Sequence, residues 1–420
     1  MARHTSRFGS VLAAALLSLA LGAVVLGGGT AFAQKKDAPA AAKRETAKPA
    51  TKKDEPQISA PYAILVDADN GAVLFERDAD TLVYPASLAK LMTAEFVFNE
   101  IKQGRIKLTD EFQVSENAWR RGGAPSGGST MFAALNSRIA VSDLIRGMII
   151  QSGNDACIVL AEALAGNEPE FAARLTKRAR EIGLAKSTFT NSNGLPDPGM
   201  QVTARELSIL ARHIIRTYPE FYQIYGETDF LWNKIRQSNR NPLLSMGIGA
   251  DGMKTGFTKE AGYGLVGSAM QNGLRLIVVV NGLKTAKERA DEARKLLDWG
   301  FRSFEQRILF GQGQALGTAK VFGGAAGSVP LVADGEVKVM LPKAGSERLI
   351  ARIVYTGPVP APVEQGHRIG TLKVWRGENV ILEVPLKAGE SIDRGNISQR
   401  AVDAVTEMMI GLFRAGAQRL

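Results

Sequence analysis

Two Asn-Gly pairs, far apart in the chain, constrain the fold more than any other feature. Asn70-Gly71 lies inside "YAILVDADNGAVLFERD" and Asn272-Gly273 inside "GYGLVGSAMQNGLRLIVVVNG". Flanked by Val, Leu, Ile and Phe, each pair reads as the turn of a β-hairpin, because Asn and Gly accept the positive φ that tight hairpin turns require. Between the hairpins, "VSDLIRGMIIQ", "DACIVLAEALAG", "PEFAARLTKRAREIG" and "ARELSILARHIIRTY" repeat apolar residues at helical spacing, and "ERADEARKLLDWGFRSF" follows the second hairpin. Strands at both ends with helices between them predict an α+β domain, in which one antiparallel sheet is covered by helices.

The flanks have other compositions. Residues 1–33 read as an export signal: Arg3 and Arg7, an apolar run from Val11 to Val25, and "AFA" as a small-x-small cleavage site after Ala33. An uncleaved anchor is the alternative, and either form exports the body of the protein. Residues 34–58, rich in Lys, Ala and Pro with almost no large apolar side chain, cannot bury a core and are expected to form a disordered tether. The domain proper is expected over 59–313. From 314 to 392 short strands punctuated by Gly and Pro, such as "GEVKVMLP", "LIARIVYTG" and "NVILEVPL", predict a small all-β domain. The formal charge of +10 falls to +8 once Arg3 and Arg7 leave with the signal, a balance suited to an anionic wall or membrane surface. Nothing points to nucleic acid, since no basic helix is interleaved with aromatics. The one cysteine, Cys157, excludes an internal disulfide framework and reads as a buried hydrophobe.

Chemistry is constrained by elimination. Histidine occurs only at positions 4, 213 and 367, and neither G-x-S-x-G nor H-E-x-x-H occurs, so a histidine-assisted hydrolase or a zinc protease is a poor fit. No phosphate-binding or dinucleotide glycine loop stands in a strand–helix setting, and no metal or cofactor is expected. His213 falls in a helical segment and reads as a surface or core residue. The stretch "YPASLAKLMTA" places Ser87 three residues before Lys90 at a helix start. Residues i and i+3 share a helix face, so hydroxyl and amine can meet. Ser-x-x-Lys alone is expected by chance roughly once in a chain of this size. A lysine base must be largely neutral near pH 7, and lowering its pKa by about 3 units costs roughly 4 kcal/mol, which desolvation and a second cation can supply. Such a site needs another lysine and relay hydroxyls. "IIQSGND" offers Ser152 and Asn154 on a loop between two helices, and "DGMKTGFT" offers Lys254, Thr255 and Gly256 on a strand entering the second hairpin.

The ordered set S-x-x-K, S-x-N and K-T-G resembles the penicillin-recognising serine enzymes. With S-G-N as its middle member, and with "IIQSGNDACIVLAE", "NKIRQSNRNPLL", "DGMKTG" and "KLLDWGFR", the sequence is similar to D-alanyl-D-alanine carboxypeptidases of the low-molecular-mass penicillin-binding type over roughly residues 59–392. The resemblance implies a β-lactamase/transpeptidase-like fold and a stem peptide of peptidoglycan ending in D-Ala-D-Ala as substrate, with β-lactams as acylating mimics. It implies that Ser87 attacks the carbonyl between the two D-alanines and that Lys90 takes its proton. Ser152 and Lys254 would pass a proton to the departing D-alanine, and Asn154 would bind the substrate amide. Ser87 and Phe257 would supply backbone oxyanion donors, while Thr255, Gly256 and Arg289 would line the carboxylate end. Phe257 stands where the family often carries His or Thr. "RRGGAPSGGSTMF", residues 120–132, is expected to be a mobile flap or a plain surface loop.

Residues 393–420 place Ile397, Ala401, Val405, Met408 and Leu412 on one helical face, widened by Val402, Met409 and Phe413, while Asp403 and Glu407 exclude a spanning helix. This resembles the amphipathic tail by which such carboxypeptidases lie on the outer, periplasmic face of the cytoplasmic membrane; packing on the protein itself is the alternative. A class A β-lactamase would need a deacylating glutamate near "GLAKSTFTNSNGLPDPG", which has none. A DD-endopeptidase and a non-catalytic wall sensor remain as rival readings of the motif set.

Overall fold

The computed structural model describes residues 55–344, 349–376 and 378–417. The export signal and nearly all of the tether lie outside the described residues. Strands β1 (Tyr62–Asp67) and β2 (Val73–Arg77) form the first hairpin. A 3-10 turn at Ala86–Ala89 leads into α1 (Lys90–Lys102). The short β3 (Glu111–Gln113) and β4 (Arg138–Ala140) pair around α2 (Glu116–Gly122). The helices α3 (Val141–Ile149), α4 (Asn154–Ala165), α5 (Glu168–Glu181), α6 (Ala204–Thr217) and α7 (Pro219–Tyr222) follow. After a small hairpin, β5 (Asp229–Trp232) with β6 (Ile235–Ser238), come β7 (Ala250–Thr258), β8 (Gly262–Gln271), β9 (Leu274–Leu283) and α8 (Ala286–Ser303).

The two ends of the domain meet in one five-stranded sheet of order β2-β1-β9-β8-β7, as the hairpin pattern predicts. Alternation along the strands assigns the two faces. Ile64, Val66, Ile277 and Val279 point into a core with α1, α3, α4, α5 and α6. Ala63, Leu65, Leu276, Val278 and Val280 point into a second core under α8, through Ala293, Leu296 and Leu297. Both faces of the central strands are therefore dry, which accounts for the nearly continuous apolar run "LRLIVVV". Asn272 and Gly273 both take positive φ, 50° and 78°, as a two-residue hairpin turn of right-handed twist demands. At the first hairpin only Gly71 does so, and Asn70 instead accepts the Ala72 N–H through its side chain at 2.8 Å. The helices start as their caps dictate: Asn167, Thr203 and Thr285 each accept an N–H of the first turn.

Packing into the domain includes a residue just before its expected start at 59. Ile58 is buried in the second core, and Arg77 donates to its carbonyl at 2.6 Å. Strand pairing of the C-terminal part also begins before Gln314: β10 (Phe304–Phe310) pairs with β13 (Val337–Pro342). A six-stranded sheet of order β14-β16-β17-β12-β11-β15 completes it, from β11 (Gly317–Phe322), β12 (Ser328–Val332), β14 (Leu349–Tyr355), β15 (Val359–Pro360), β16 (Arg368–Arg376) and β17 (Asn379–Ala388). These strands enclose a separate core that includes Val329, Leu331, Val339, Val374 and Leu386. The last element is α9 (Ile397–Ala417), with Ile397 84 % exposed and Val402, Val405, Met408 and Met409 also exposed. Asp403 accepts the Gly323 N–H at 2.7 Å, tying one side of α9 to the β domain. No helix among the described residues is long and apolar enough to cross a membrane.

Candidate active site

Ser87 lies in the 3-10 turn that opens α1, after Pro85. Its neighbour Ala86 has φ 48°, a left-handed conformation that costs a non-glycine residue about 1 to 2 kcal/mol. The turn is braced from outside. Gly194, at φ +83°, packs so tightly on Ala86 that a Cβ there would lie 1.9 Å from the Ala86 carbonyl oxygen. From the other side β7 approaches: a Cβ on Gly256 would lie 3.0 Å from the Pro85 carbonyl oxygen. The K-T-G strand is an edge strand, and this glycine lets its backbone sit against the serine turn.

Lys90 is the first residue of α1 and is 1 % exposed. Its Nζ reaches Ser87 Oγ at 2.9 Å, Asn154 Oδ1 at 2.8 Å and the Asn193 carbonyl at 2.6 Å. The last two atoms can only accept hydrogen bonds. They hold two N–H groups, so in the neutral amine the lone pair falls to the one partner that can donate, the Ser87 hydroxyl. Burial, with a smaller push from the Arg240 guanidinium and opposed by Cys157 and Asp155, brings the Lys90 ammonium down to about 8.

Ser152 stands between α3 and α4 at φ 65°, buried, and its Oγ has no hydrogen-bond partner among the described residues. Asn154 is the first residue of α4 rather than a loop residue as expected, which fixes its side chain to a rigid helix. Lys254 on β7 is buried, its Nζ donating to the Thr255 carbonyl at 3.2 Å. Burial holds its pKa well below the lysine range, and Lys90, Arg240 and Arg289 add repulsion. Lys90 thus perturbs Lys254 within one dry site. Thr255 is buried beside it. Phe257 is 49 % exposed and stacks on Tyr263, centroids 4.1 Å apart. Arg289 leaves the first turn of α8 with Cζ 5.6 Å from the Tyr263 ring. The structure therefore gathers Ser87, Lys90 and Asn154 by direct contact and places Lys254 and Arg289 within the same electrostatic neighbourhood.

Asn193, Gly194, Asp155 and Arg240 escape sequence reasoning. A buried lysine must have acceptor partners, and the turn-rich "NSNGLP" was the segment able to supply a carbonyl. Asp155 is fully buried and accepts from Thr130 Oγ1 at 2.6 Å and from the Met131 and Ala133 N–H groups at 3.0 Å. It pins the base of the 120–132 segment, which comprises the end of α2, a 3-10 turn at Ala124–Ser126 and an exposed tip. Arg240 donates to Ser129 Oγ at 2.6 Å, and the Ser129 carbonyl accepts the Asn154 N–H at 2.8 Å. Cys157 is a buried thiol pushed up to about 12, donating to the Gly153 carbonyl at 3.3 Å. His213 lies outside this cluster, bonded to the buried Glu95, which also takes Arg178 and Tyr218.

Comparison with known proteins bears on the family and the fold. Residues 49–285 match the peptidase family described as D-alanyl-D-alanine carboxypeptidase, and residues 304–394 match the C-terminal domain of penicillin-binding protein 5. The D-alanyl-D-alanine carboxypeptidase DacA of Haemophilus influenzae is 39 % identical over 85 % of this chain and 91 % of its own length. DacC of Escherichia coli is 40 % identical over 84 % of this chain and 89 % of its own. Among solved structures, penicillin-binding protein 5 from Haemophilus influenzae matches with a TM-score of 0.74 and 40 % identity, covering 81 % of this chain and 99 % of that one. Penicillin-binding protein D2 from Listeria monocytogenes, in its ampicillin-bound form, matches with a TM-score of 0.53 and 30 % identity over 59 % of this chain and 99 % of its own. With a serine turn, a buried lysine and an edge strand brought together on this fold, the chain belongs to the D-alanyl-D-alanine carboxypeptidase family of serine peptidases.

Proposed function

We propose that Ser87 is the nucleophile of this carboxypeptidase and that Lys90 is its general base. The observation that carries the reading is the three-way contact of Lys90 Nζ, which leaves the amine lone pair directed at the Ser87 hydroxyl. The substrate is the stem peptide of peptidoglycan ending in D-Ala-D-Ala. Ser87 Oγ bonds to the carbonyl carbon between the two D-alanines as its proton passes to Lys90. The backbone N–H groups of Ser87 and Phe257 bind the oxyanion, such donors being worth about 3 kcal/mol each. The buried Ser152 hydroxyl, unpaired within the described residues, relays a proton to the departing D-alanine nitrogen, helped by Lys254. Collapse releases D-alanine, and water then hydrolyses the ester. A β-lactam enters the same first step and remains as the adduct. Asn154 binds the substrate amide, and Thr255, Gly256 and Arg289 receive the terminal carboxylate, which needs a cation with several donors.

The mature enzyme acts in the periplasm, exported by residues 1–33 and cleaved after Ala33. The small β domain, expected over 314–392, starts instead at Phe304, where β10 pairs with β13, so the peptidase domain ends with α8 at Ser303 rather than near 313. The exposed apolar side of α9 rests on the outer surface of the cytoplasmic membrane; at about 25 cal/mol per Å² of apolar area it supplies several kcal/mol, enough for reversible attachment. Incubation with penicillin, followed by peptide mass mapping, should place one adduct on Ser87 and none on Ser87→Ala; an adduct on another serine refutes the assignment. Removing residues from Ile397 onward, which keeps the Gly324–Arg394 bridge, should leave D-alanine release intact and abolish sedimentation with anionic lipid vesicles. Equal sedimentation of both proteins refutes the anchor.

A further inference from the structure

Arg289 is a half-buried cation without a counter-ion among the described residues, and its Nε is buried with no hydrogen-bond partner among them. What touches it is aromatic. Tyr263 on β8 lies with its ring centroid 5.6 Å from the guanidinium carbon, and the same ring stacks on Phe257 at 4.1 Å and 27°. Register dictates the stack: Phe257 on β7 and Tyr263 on β8 are direct cross-strand partners, so their side chains share a face of the sheet. An arginine side chain has large rotamer freedom, and a ligand that must order it binds more weakly. A planar guanidinium laid on an aromatic face loses that freedom before the ligand arrives.

We propose that Tyr263, backed by Phe257, is a positioning residue that pre-orients the Arg289 guanidinium for the terminal carboxylate and thereby sets the preference of the site for a free carboxylate. The inference rests on the reading of Arg289 as the carboxylate partner. Tyr263 acts through Arg289 and Phe257 acts through Tyr263. At position 257 an aromatic ring therefore has a use that a threonine could not meet.

The test is the ratio of kcat/KM for a D-Ala-D-Ala peptide to that for the same peptide ending in a carboxamide, measured in Tyr263→Leu, Tyr263→Phe, Arg289→Ala and the Tyr263→Leu/Arg289→Ala double variant. Tyr263→Leu should lower the ratio roughly 3- to 30-fold, mainly through KM. Tyr263→Phe keeps the ring and should restore most of it. In the Arg289→Ala background, Tyr263→Leu should lower the ratio no further. If Arg289→Ala lowers the ratio but Tyr263→Leu does not, or lowers it equally in both backgrounds, the positioning role is overturned and the carboxylate reading stands. If Arg289→Ala leaves the ratio unchanged, the carboxylate reading falls and takes the inference with it. Should Tyr263→Leu fail to fold, Phe257→Leu at the half-exposed end reads the same stack, and a wild-type ratio there overturns the proposal.

Discussion

The pH dependence of acylation is the sharpest consequence of the Lys90 environment. Its amine is pushed from 10.5 to about 8 by burial. At pH 7 about one molecule in ten would then carry the neutral base, against about one in three thousand at the ordinary value, a gain of roughly 300-fold or about 3 kcal/mol. The rate constant for penicillin acylation, followed by adduct mass between pH 5.5 and 10, should rise about tenfold per pH unit at low pH and level off above about 8. Stability carries the same signature with a definite sign. Between about 8 and 10.5 the unfolded chain holds a proton on Lys90 that the folded chain has released, so stability rises with pH across that window. Below it the full cost of a buried ammonium is present. A profile that still rises tenfold per unit up to pH 10, or one that is flat across the range, refutes the assignment of Lys90 as the base.

Other variants probe the supports of the site. Arg240→Gln removes a cation that lowers Lys90, so the break in the acylation profile should move to higher pH; a break that stays or falls shows that Arg240 does not act on the base. Gly194→Ala puts a Cβ 1.9 Å from the Ala86 carbonyl oxygen at a positive φ, and the displaced serine turn should acylate on the order of 100-fold more slowly with circular dichroism unchanged. Glu95→Ala leaves the Arg178 guanidinium, 20 % exposed, without its buried partner, and urea unfolding should show a loss of about 3 kcal/mol with the site's pH profile unmoved.

The sequence carried the fold because local and long-range signals agree. Asn272-Gly273 needs positive φ wherever it sits, and α3 to α6 and α8 fall within a few residues of their periodic patterns. The motif spacing likewise singled out Ser87, Lys90, Ser152 and Lys254 as candidates, since a histidine-free hydrolase has few other bases to draw on. What the sequence could not contain is anything set by contact between distant segments. That Lys90 is buried, and that the nearer of its two acceptors is the carbonyl of Asn193, follows from a loop packed across α1; a backbone carbonyl has no residue signature. Gly194 and Gly256 look like ordinary turn and strand glycines until Ala86 and Pro85 are seen against them. Without the family resemblance, Arg289 reads as one charge among many on an exposed helix. Only the register of β7 on β8 and the seating of α8 across the sheet bring it to Tyr263, because orientation between elements is decided by packing and leaves no periodic trace in the chain.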